Sequence, residues 1–338
     1  MKIEKDISLK ELNTFNVDVK IDTLCSLEKD SDFSLNPLEK YLDSFFVLGG
    51  GSNVLFSDNF KGCIFLIRNK GIEILEEGLE SLIVKVQAGE EWEKFVRWGV
   101  KRDLLALHNL GLIPGTVGAT PIQNVGAYGV EVKDLIIKVE ILDISTGKTY
   151  EIDNKECGFG YRNSIFKENL KGKTIIKNVT FKLEKFRKKV DEKYIQYSGV
   201  KEKLRGKDLT PKNIYDAIVK IREEKLPSLD EYGSCGSTFK NPVIPINEYL
   251  RLLKRFPNIP KYQTKEKNMV KIPAAYILDR LGWKNRREGN IGTWISHPLI
   301  VTNYGEAKPS DILSFIERMQ KDFKTNTGIE LECEINII

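Results

Sequence analysis

Three consecutive glycines, Gly49 to Gly51 in the stretch LGGGSNVLFSD, place the strongest constraint on how this chain can fold. They follow one apolar run, SFFVL, and precede another, NVLF, so they join two segments that are typical of β-strands. Glycine lets a backbone adopt positive φ and approach a ligand closely, and backbone amides exposed in this way commonly bind phosphate. An ordinary glycine-rich hairpin is the alternative interpretation.

Neither common nucleotide-binding fingerprint accounts for these glycines. In G-x-G-x-x-G the last glycine would fall at Val54, and no long helix is predicted to follow. No GK[ST] closes the stretch, so it is not a P-loop. A phosphate site here would therefore belong to a different fold.

Composition excludes several classes of protein. The net charge of +5, from 53 Lys and Arg against 48 Asp and Glu, is too small and scattered to predict a nucleic-acid-binding protein. The amino-terminal segment has no apolar core like that of a secretory signal, and no run of about 18 apolar residues predicts a membrane span. The five cysteines are dispersed without a CxxC pair, which favours free thiols in a reducing, cytoplasmic setting. With two histidines far apart, a metal site or a Ser-His-Asp triad is improbable.

The 338 residues are enough for two or three domains. The first part is rich in strand patterns, with one helix predicted at EEWEKFVRWGV, where Trp92, Phe95, Val96 and Gly99 share a face. Residues 211–325 are predicted to be mainly helical, and the first of these helices opens with Thr210 as N-cap. The strict alternation in ELECEINII then predicts a final strand.

A second glycine-rich segment, GLIPGTVGATPIQNVGAYG at 111–129, is almost uncharged but rich in hydroxyl and amide groups. Asn109 stands just before it. Such a segment is typical of a loop that packs against a large neutral ring system, with a buried turn-rich crossover as the alternative.

Candidate chemical groups lie in three further stretches. In FGYRNSIFK, Arg162 stands among apolar residues and should have an anionic partner, either a ligand or a structural carboxylate. In GSCGSTFKNP, Ser237 is a candidate proton donor, and Cys235 would share its face if the segment is extended. Arg222 and Lys225 are either helix-end cations or a phosphate clamp.

The order of these motifs resembles one family. LNTFNVD, LGGGSNVLFSD, VQAGEEWEKFV, GLIPGTVGATPIQNVGAYGVEVKD, ECGFGYRNSIFK, REEKLPS, GSCGSTFKNP and AAYILDRLGWK follow the sequence order of the UDP-N-acetylenolpyruvoylglucosamine reductases, across roughly residues 12 to 335. YIQYSGV resembles the tyrosine loop of the family's first class.

This resemblance implies an α+β fold: a two-subdomain FAD-binding fold of the vanillyl-alcohol-oxidase type plus a separate α+β substrate-binding domain. The implied boundaries are 1–68 and 69–208 for the two FAD-binding subdomains, the second joined by a strand at 329–338, and 209–328 for the substrate domain. The family reduces UDP-N-acetylglucosamine enolpyruvate to UDP-N-acetylmuramate in peptidoglycan precursor synthesis, with NADPH as the electron donor.

The resemblance also implies the roles of individual residues. Ser237 matches the proton donor to C2, Arg162 matches the arginine that stabilises the enolate, and Glu334 matches a carboxylate in the same chemistry, with Glu332 as the alternative. Substrate contacts are implied for Lys225, Asn241 and Tyr197, with Tyr194 as the alternative to Tyr197. The implied flavin-binding residues are Gly49, Gly50, Gly51, Ser52, Asn53, Gly115, Thr116, Gly118, Ala119, Gln123, Asn124, Gly126, Ala127 and Tyr128.

The expected partners are the UDP-sugar and NADPH, with no metal, nucleic acid or membrane, and the expected state is a monomer. Two other functions are open at this point: an FAD oxidase of the same fold acting on another substrate, and a non-catalytic UDP-sugar-binding protein.

Overall fold

The computed structural model describes residues 1–264 and 266–338. The chain forms two compact units, each built from separate stretches of sequence. The first contains Met1–Ile7, Ile21–Gly50 and Lys61–Glu224, and the second contains Ser8–Lys20, Gly51–Phe60 and Lys225–Ile338. The division at 1–68, 69–208 and 209–328 stays a prediction.

The strands in chain order are β1 (Lys2–Ser8), β2 (Lys20–Leu27), β3 (Phe45–Leu48), β4 (Val54–Leu55), β5 (Phe60–Ile67), β6 (Ile72–Glu77), β7 (Ser81–Gln87), β8 (Gly126–Ala127), β9 (Val130–Glu131), β10 (Ile136–Asp143), β11 (Thr149–Asp153), β12 (Thr174–Glu184), β13 (Gly233–Ser237), β14 (Val243–Pro245), β15 (Tyr262–Gln263), β16 (Met269–Lys271), β17 (Arg287–Glu288), β18 (Ile291–Trp294), β19 (His297–Asn303) and β20 (Asn336–Ile337). The α-helices are α1 (Leu35–Leu38), α2 (Trp92–Val100), α3 (Ser198–Lys203), α4 (Pro211–Lys225), α5 (Ile246–Leu253), α6 (Ala274–Arg280) and α7 (Pro309–Thr327).

The first unit contains two main sheets. One has the order β1-β2-β5-β3, in which β3 and β5 are parallel, and the other has the order β11-β10-β12-β7-β6 with antiparallel pairs. The helix α2 packs on the second sheet, with the Phe95 and Phe181 rings 5.0 Å apart. Its buried side includes all four residues that the sequence placed on one face. The predicted N-cap of α4 is also confirmed, because the Thr210 hydroxyl accepts a hydrogen bond from Asn213 N at 3.2 Å.

The second unit contains an antiparallel sheet of order β13-β19-β18-β17 and a small sheet of order β14-β16-β15. The helix α7 buries its apolar stripe, and Trp283 meets Phe315 edge-to-face at 5.4 Å. The helix α7 ends at Gly328, whose φ of 77° provides the left-handed C-cap that glycine favours. The mainly helical character predicted for 211–325 is therefore only partly correct, since most strands of this unit lie in that range.

The carboxyl-terminal strand is much shorter than predicted. Only Asn336–Ile337 forms a strand, and it pairs in parallel with β4, which belongs to the second unit. The preceding residues instead lie beside 238–240, where Phe239 bridges Cys333 and Glu334 N donates to Thr238 O at 2.7 Å. The chain bends at Glu334 and Ile335 between these two partners, so no single neighbour pairs with the whole run. The strand predicted at 329–338 is wrong in extent and in partner.

None of the helices in the described part of the chain is both long and apolar enough to cross a bilayer.

Candidate active site

The second glycine-rich segment runs along the end of β7 and the start of α2. Its backbone exchanges hydrogen bonds with that region: Trp92 N donates to Gly115 O at 3.0 Å, and Gly118 N donates to Ala88 O at 2.8 Å. A β-carbon added at Gly118 would lie 2.5 Å from Ala88 Cβ. Glycine is therefore needed at 118 for close packing on the sheet.

The first two glycines of the GGG stretch pack directly against the second segment. A β-carbon at Gly50 would lie 2.6 Å from Gly115 Cα, and one at Gly49 would lie 2.6 Å from Thr116 Oγ1. The Thr116 hydroxyl is buried and has no hydrogen-bond partner among the described residues. A buried hydroxyl without a partner is costly unless a ligand satisfies it. The pairing of two glycine-rich backbones around this group fits a large polar cofactor such as FAD.

The third glycine belongs to the second unit and is needed for a different reason. Gly51 has a φ of 65°, and a β-carbon there would lie 2.0 Å from Leu12 O. Asn53 follows, and its carbonyl accepts a hydrogen bond from Asn336 N at 3.0 Å. The loop leads straight into the two-residue strand β4, so the absence of a following long helix is confirmed.

A tight hairpin closes the second glycine-rich segment. Strands β8 and β9 pair around Tyr128 and Gly129, which have φ values of 47° and 86°. Ala127 and Gly126 form β8, while Ala119 lies in a short 3-10 turn, Val117–Ala119, earlier in the segment. The hairpin places Tyr128 on a turn in which two successive residues have positive φ, as in a type I′ turn.

Arg162 lies in a tight turn that is tied to this segment at three points. The guanidinium Nη2 donates to Gly126 O at 2.9 Å, and Ser164 Oγ donates to Ile122 O at 2.6 Å. The third point is Asn124, whose Nδ2 donates to Gly160 O at 2.9 Å. Arg162 itself has a φ of 54° in the turn closed by Gly160 and Asn163. The arginine is thus held against the segment predicted to line the flavin.

Asn124 has a supporting role that the sequence did not predict. Its side chain is fully buried, and its Oδ1 accepts a hydrogen bond from Lys133 N at 3.2 Å. The Asn124 side-chain amide is therefore used within the protein, where it holds the Arg162 turn and the start of the turn at Lys133. Gln123, its neighbour, is half-buried.

Ser237 and Glu334 lie close together in the second unit. Ser237 ends β13 opposite Ile300 of β19, and Thr238, the next residue, accepts the hydrogen bond from Glu334 N. Both side chains are half-buried. Within the described part of the chain, no protein group hydrogen-bonds the Ser237 hydroxyl, so this group is available to a ligand.

Glu332 and Glu334 differ in exposure, since Glu332 is exposed and Glu334 is half-buried. Glu332 Oε1 lies 2.5 Å from Lys240 Nζ, and its side chain is 68% exposed. Its carboxylate therefore belongs to a surface ion pair.

Cys235 does not share the face of Ser237. Gly236 between them has a φ of 69°, and the pairing of β13 shifts between Ser234 and Ser237, so the alternation is broken. The Cys235 thiol is buried and donates to Val54 O at 3.3 Å. Burial raises the pKa of this thiol to about 12, against the opposing effect of contacts with Thr14 and Val54.

The two candidate tyrosines have different environments. Tyr194 is 6% exposed and meets the His108 ring edge-to-face at 5.3 Å. Tyr197 is 41% exposed, and its ring lies 5.2 Å from that of Tyr128. Tyr194 is thus a buried anchor, and Tyr197 is the one that can reach a ligand.

Lys225 and Asn241 both lie at helix ends. Lys225 is the last residue of α4, and its carbonyl accepts a hydrogen bond from Ser296 Oγ at 2.6 Å. Asn241 Oδ1 accepts from Ala274 N at 3.0 Å and so caps α6. This bond uses the Oδ1 of Asn241 and not its Nδ2 donors.

Two residues near the site escaped the sequence analysis or were placed differently by it. His297 lies close to Lys225, and its pKa is lowered to about 4 by burial and then by the charges of Lys225 and Lys284. Nothing in the sequence around His297 indicated that it lies close to Lys225. Arg222 Nε donates to Leu112 O at 3.3 Å, and burial lowers the pKa of its guanidinium. Arg222 therefore contacts the second glycine-rich segment. The sequence predicted either a helix-end cation or a phosphate clamp, and neither prediction includes this contact.

Comparisons with known proteins agree with this arrangement. A family model described as "FAD binding domain" matches residues 35–153, and one described as "UDP-N-acetylenolpyruvoylglucosamine reductase, C-terminal domain" matches residues 228–338. The UDP-N-acetylenolpyruvoylglucosamine reductase of Flavobacterium johnsoniae is 36% identical over 338 residues, covering 100% of both chains. That of Pseudomonas aeruginosa is 34% identical over 342 residues, covering 100% of this chain and 99% of the relative.

A solved structure agrees with the fold. The crystal structure of UDP-N-acetylenolpyruvylglucosamine reductase from Thermus caldophilus superposes with a TM-score of 0.69 at 21% identity, covering 100% of this chain and 99% of that one. The predicted α+β fold, with an FAD-binding domain and a separate carboxyl-terminal domain, is confirmed. On these full-length similarities, the chain belongs to the family of FAD-dependent UDP-N-acetylenolpyruvoylglucosamine reductases.

Proposed function

We propose that this chain reduces the enolpyruvyl group of UDP-N-acetylglucosamine enolpyruvate with electrons from NADPH, using Ser237, Arg162 and Glu334 as its catalytic residues. The product is UDP-N-acetylmuramate, a precursor of peptidoglycan. Family membership supports the reaction. The observation that carries the choice of residues is the hydrogen bond from Glu334 N to Thr238 O, which fixes a carboxylate-bearing residue beside the strand end that carries Ser237.

We propose that the two glycine-rich segments hold the cofactor. Backbone amides of Gly49 to Asn53 would bind its diphosphate, and the segment from Gly115 to Tyr128 would line its ring. The buried Thr116 hydroxyl supports this assignment, because a polar cofactor atom would supply the partner that it lacks. When bound, FAD would supply the hydride chemistry that connects NADPH, the hydride donor, to the vinyl carbon C3 of the substrate.

Ser237 would complete the reduction by donating its hydroxyl proton to C2. Hydride addition at C3 leaves an electron pair at C2 and on its carboxylate, and protonation at C2 gives the lactyl ether. The half-buried hydroxyl has no competing protein partner in the described part of the chain, which suits a group that must donate to substrate. The Glu334 carboxylate, next to the same strand end, would assist in returning a proton to the serine.

Arg162 would stabilise the negative charge that develops on the substrate carboxylate. Its guanidinium is held by Gly126 O, and its turn is tied to the flavin-lining segment. A fixed cation of this kind lowers the barrier most when charge appears only in the transition state.

Three residues would bind the nucleotide. Lys225 supplies a positive charge, Asn241 supplies Nδ2 donors, and Tyr197 supplies a partly exposed ring. These groups suit an anionic diphosphate attached to a flat base.

We further infer that the chain acts as a cytoplasmic monomer. All five cysteines are free thiols, as expected of a reducing compartment.

Separate measurement of the two half-reactions tests the proposal. Under anaerobic conditions NADPH should bleach the yellow protein, and the enolpyruvyl nucleotide should restore its colour. Ser237→Ala should bleach at a near-normal rate but regain colour at least about 10²-fold more slowly, because the lost group acts only in the second step.

The matched control is Cys235→Ala, which alters the neighbouring buried thiol and should change neither rate by more than about twofold. Equal losses in both half-reactions of Ser237→Ala would contradict the assignment of Ser237. A yellow protein that NADPH does not bleach would indicate an oxidase, and a protein unable to take up FAD would indicate a non-catalytic binding protein.

A further inference from the structure

Asn109 links two segments of the first unit that are distant in sequence. It lies in a 3-10 turn, Leu107–Leu110, just before the second glycine-rich segment, and its side chain is fully buried. The amide Nδ2 donates to Tyr128 O and to Tyr194 O, each at 2.8 Å. Both hydrogens of this one amide group are therefore used to join the hairpin at Tyr128 to the loop at Tyr194.

The rest of the loop is also anchored at this end. Tyr194 is buried against His108, the residue that precedes Asn109. Tyr194 closes a 3-10 turn, Glu192–Ile195, in which the Asp191 carboxylate accepts a hydrogen bond from Lys193 N at 2.9 Å. The loop is thus fixed where Tyr194 is buried, and the exposed ring three residues later packs on Tyr128.

Tyr128 is joined to the tyrosine loop in two ways, through its ring and through its backbone carbonyl. Tyr128 and Tyr197 meet ring to ring at 5.2 Å, with an interplanar angle of 81°, while Asn109 holds Tyr128 and Tyr194 through their backbones. The separation between the hairpin and the exposed Tyr197 therefore depends on a side chain that is itself inaccessible to ligand. The Asn109 side chain is fully buried, and its two printed contacts are to the hairpin and the loop, so we expect its effect on substrate to act through the loop.

We propose that Asn109 is a positioning residue for substrate binding, which sets the place of Tyr197 by fixing the tyrosine loop to the Tyr128 hairpin. The inference rests on the proposed role of Tyr197 at the nucleotide. It adds a residue that has no contact with the nucleotide, and it explains why a buried amide stands at this point of the chain.

A double-mutant cycle between Asn109 and Tyr197 tests the inference. Asn109→Ala should raise KM for the enolpyruvyl nucleotide about tenfold, as is common for residues coupled through one contact network. The rate of flavin bleaching by NADPH should stay near that of the unaltered enzyme. In a Tyr197→Ala background, Asn109→Ala should raise KM no further, because the residue through which it acts is gone.

Hydrogen exchange supplies a readout that does not depend on activity. In Asn109→Ala the amides of residues 191–200 should exchange faster than in the unaltered protein, whether or not Tyr197 is present. The matched control is Asn178→Ala, which truncates another buried asparagine, in β12, whose amide donates to Glu140. That variant should lose thermal stability while KM and exchange at 191–200 stay the same.

The outcomes separate the inference from the proposed function. Unchanged exchange at 191–200, or an equal rise of KM in both backgrounds, would overturn the role of Asn109. A third outcome is a normal KM in Tyr197→Ala together with faster exchange at 191–200 in Asn109→Ala. Asn109 would then anchor the loop, but Tyr197 would not bind the nucleotide. That result overturns both the positioning role of Asn109 and the assignment of Tyr197. If Asn109→Ala does not fold, Asn109→Ser is subject to the same tests.

Discussion

Cys235 and Ser237 show how strongly position controls the chemistry of neighbouring residues. The thiol faces Val54 and Thr14 in the interior, where burial raises its pKa to about 12 and keeps it protonated. The hydroxyl, two residues later, follows a glycine with positive φ and is half-buried. A thiolate would be the stronger nucleophile, but this thiol is inert.

His108 gives a prediction for the pH dependence of stability. Its pKa is lowered to about 4, mainly by burial, which the neighbouring Asn109 amide partly offsets. An unfolded histidine titrates near 6.5, so the unfolded chain binds more protons between these values and stability falls as the pH drops from 6.5 towards 4. The contribution of this residue amounts to about 3 kcal/mol at most.

The measurement is the free energy of unfolding in urea at pH 7 and at pH 5. His108→Phe keeps an aromatic ring against Tyr194 and removes the titrating group, so it should lose less stability over this interval than the unaltered protein. His297 remains in both proteins and serves as an internal control. An identical loss in the two proteins would show that His108 does not titrate as argued.

At the scale of elements, the candidate site is made of turns held by side chains rather than of regular structure. The Arg162 turn is fixed by Asn124, Ser164 and its own guanidinium, and the tyrosine loop is fixed by Asn109. These bonds join residues that are far apart in sequence. Their rigidity comes from buried side-chain amide, hydroxyl and guanidinium donors that bond to backbone carbonyls.

The GGG loop provides a prediction at this scale. Gly51→Ala would place a β-carbon 2.0 Å from Leu12 O at a φ of 65°, so the loop must shift. Gly172→Ala is the matched control, because Gly172 has a φ of 70° but nothing within 4 Å of the added carbon. The control should cost about 1 kcal/mol and Gly51→Ala clearly more, with a further loss of bound FAD.

Urea unfolding and the flavin absorbance of the purified variants give both quantities. Equal stability of the two variants would mean that backbone strain alone, and not the contact with Leu12, explains the glycine at position 51.

The regular elements of the structure were largely predictable, because their information is local. The buried face of α2 and the strands β7, β10 and β12 follow from periodicity in the sequence. The end of the chain was not predictable in this way. ELECEINII alternates like a single strand, but Glu334 bonds to Thr238 while Asn336 and Ile337 pair with β4. Alternation records which side chains are buried, and it contains no information about the partner.

The candidate site was predictable in type but not in detail. The sequence indicated Ser237, Arg162 and Glu334 through the resemblance, but it could not separate Glu334 from Glu332 or Tyr197 from Tyr194. The structure shows that Glu332 is paired with Lys240 and that Tyr194 is buried against His108, and the roles of Glu334 and Tyr197 stay predictions. Both contacts are long-range, so no local pattern could reveal them.

At the scale of the whole molecule, FAD should contribute to stability as well as to chemistry. A ligand at about 100 times its Kd stabilises the folded state by about 2.7 kcal/mol, which corresponds to a rise in Tm of roughly 5 °C or more for a chain of this size. Protein stripped of flavin should show this rise when FAD is added. Riboflavin, which lacks the diphosphate, should produce a smaller shift.

Calorimetry or fluorescence-detected melting measures both shifts. If riboflavin stabilises the protein as much as FAD does, the glycine-rich backbone does not bind the diphosphate.

The second unit is built from stretches that are far apart in sequence, and this affects how the chain folds during its synthesis. Val54, Leu55 and Phe56 are buried, yet the strand that pairs with β4 lies near the other end of the chain, and Ser57 and Ile338 are 281 residues apart. At usual rates of translation this apolar stretch leaves the ribosome tens of seconds before its partner. Until then its apolar side chains lack their partner strand, so we expect a chain whose synthesis stops in between to be prone to aggregation.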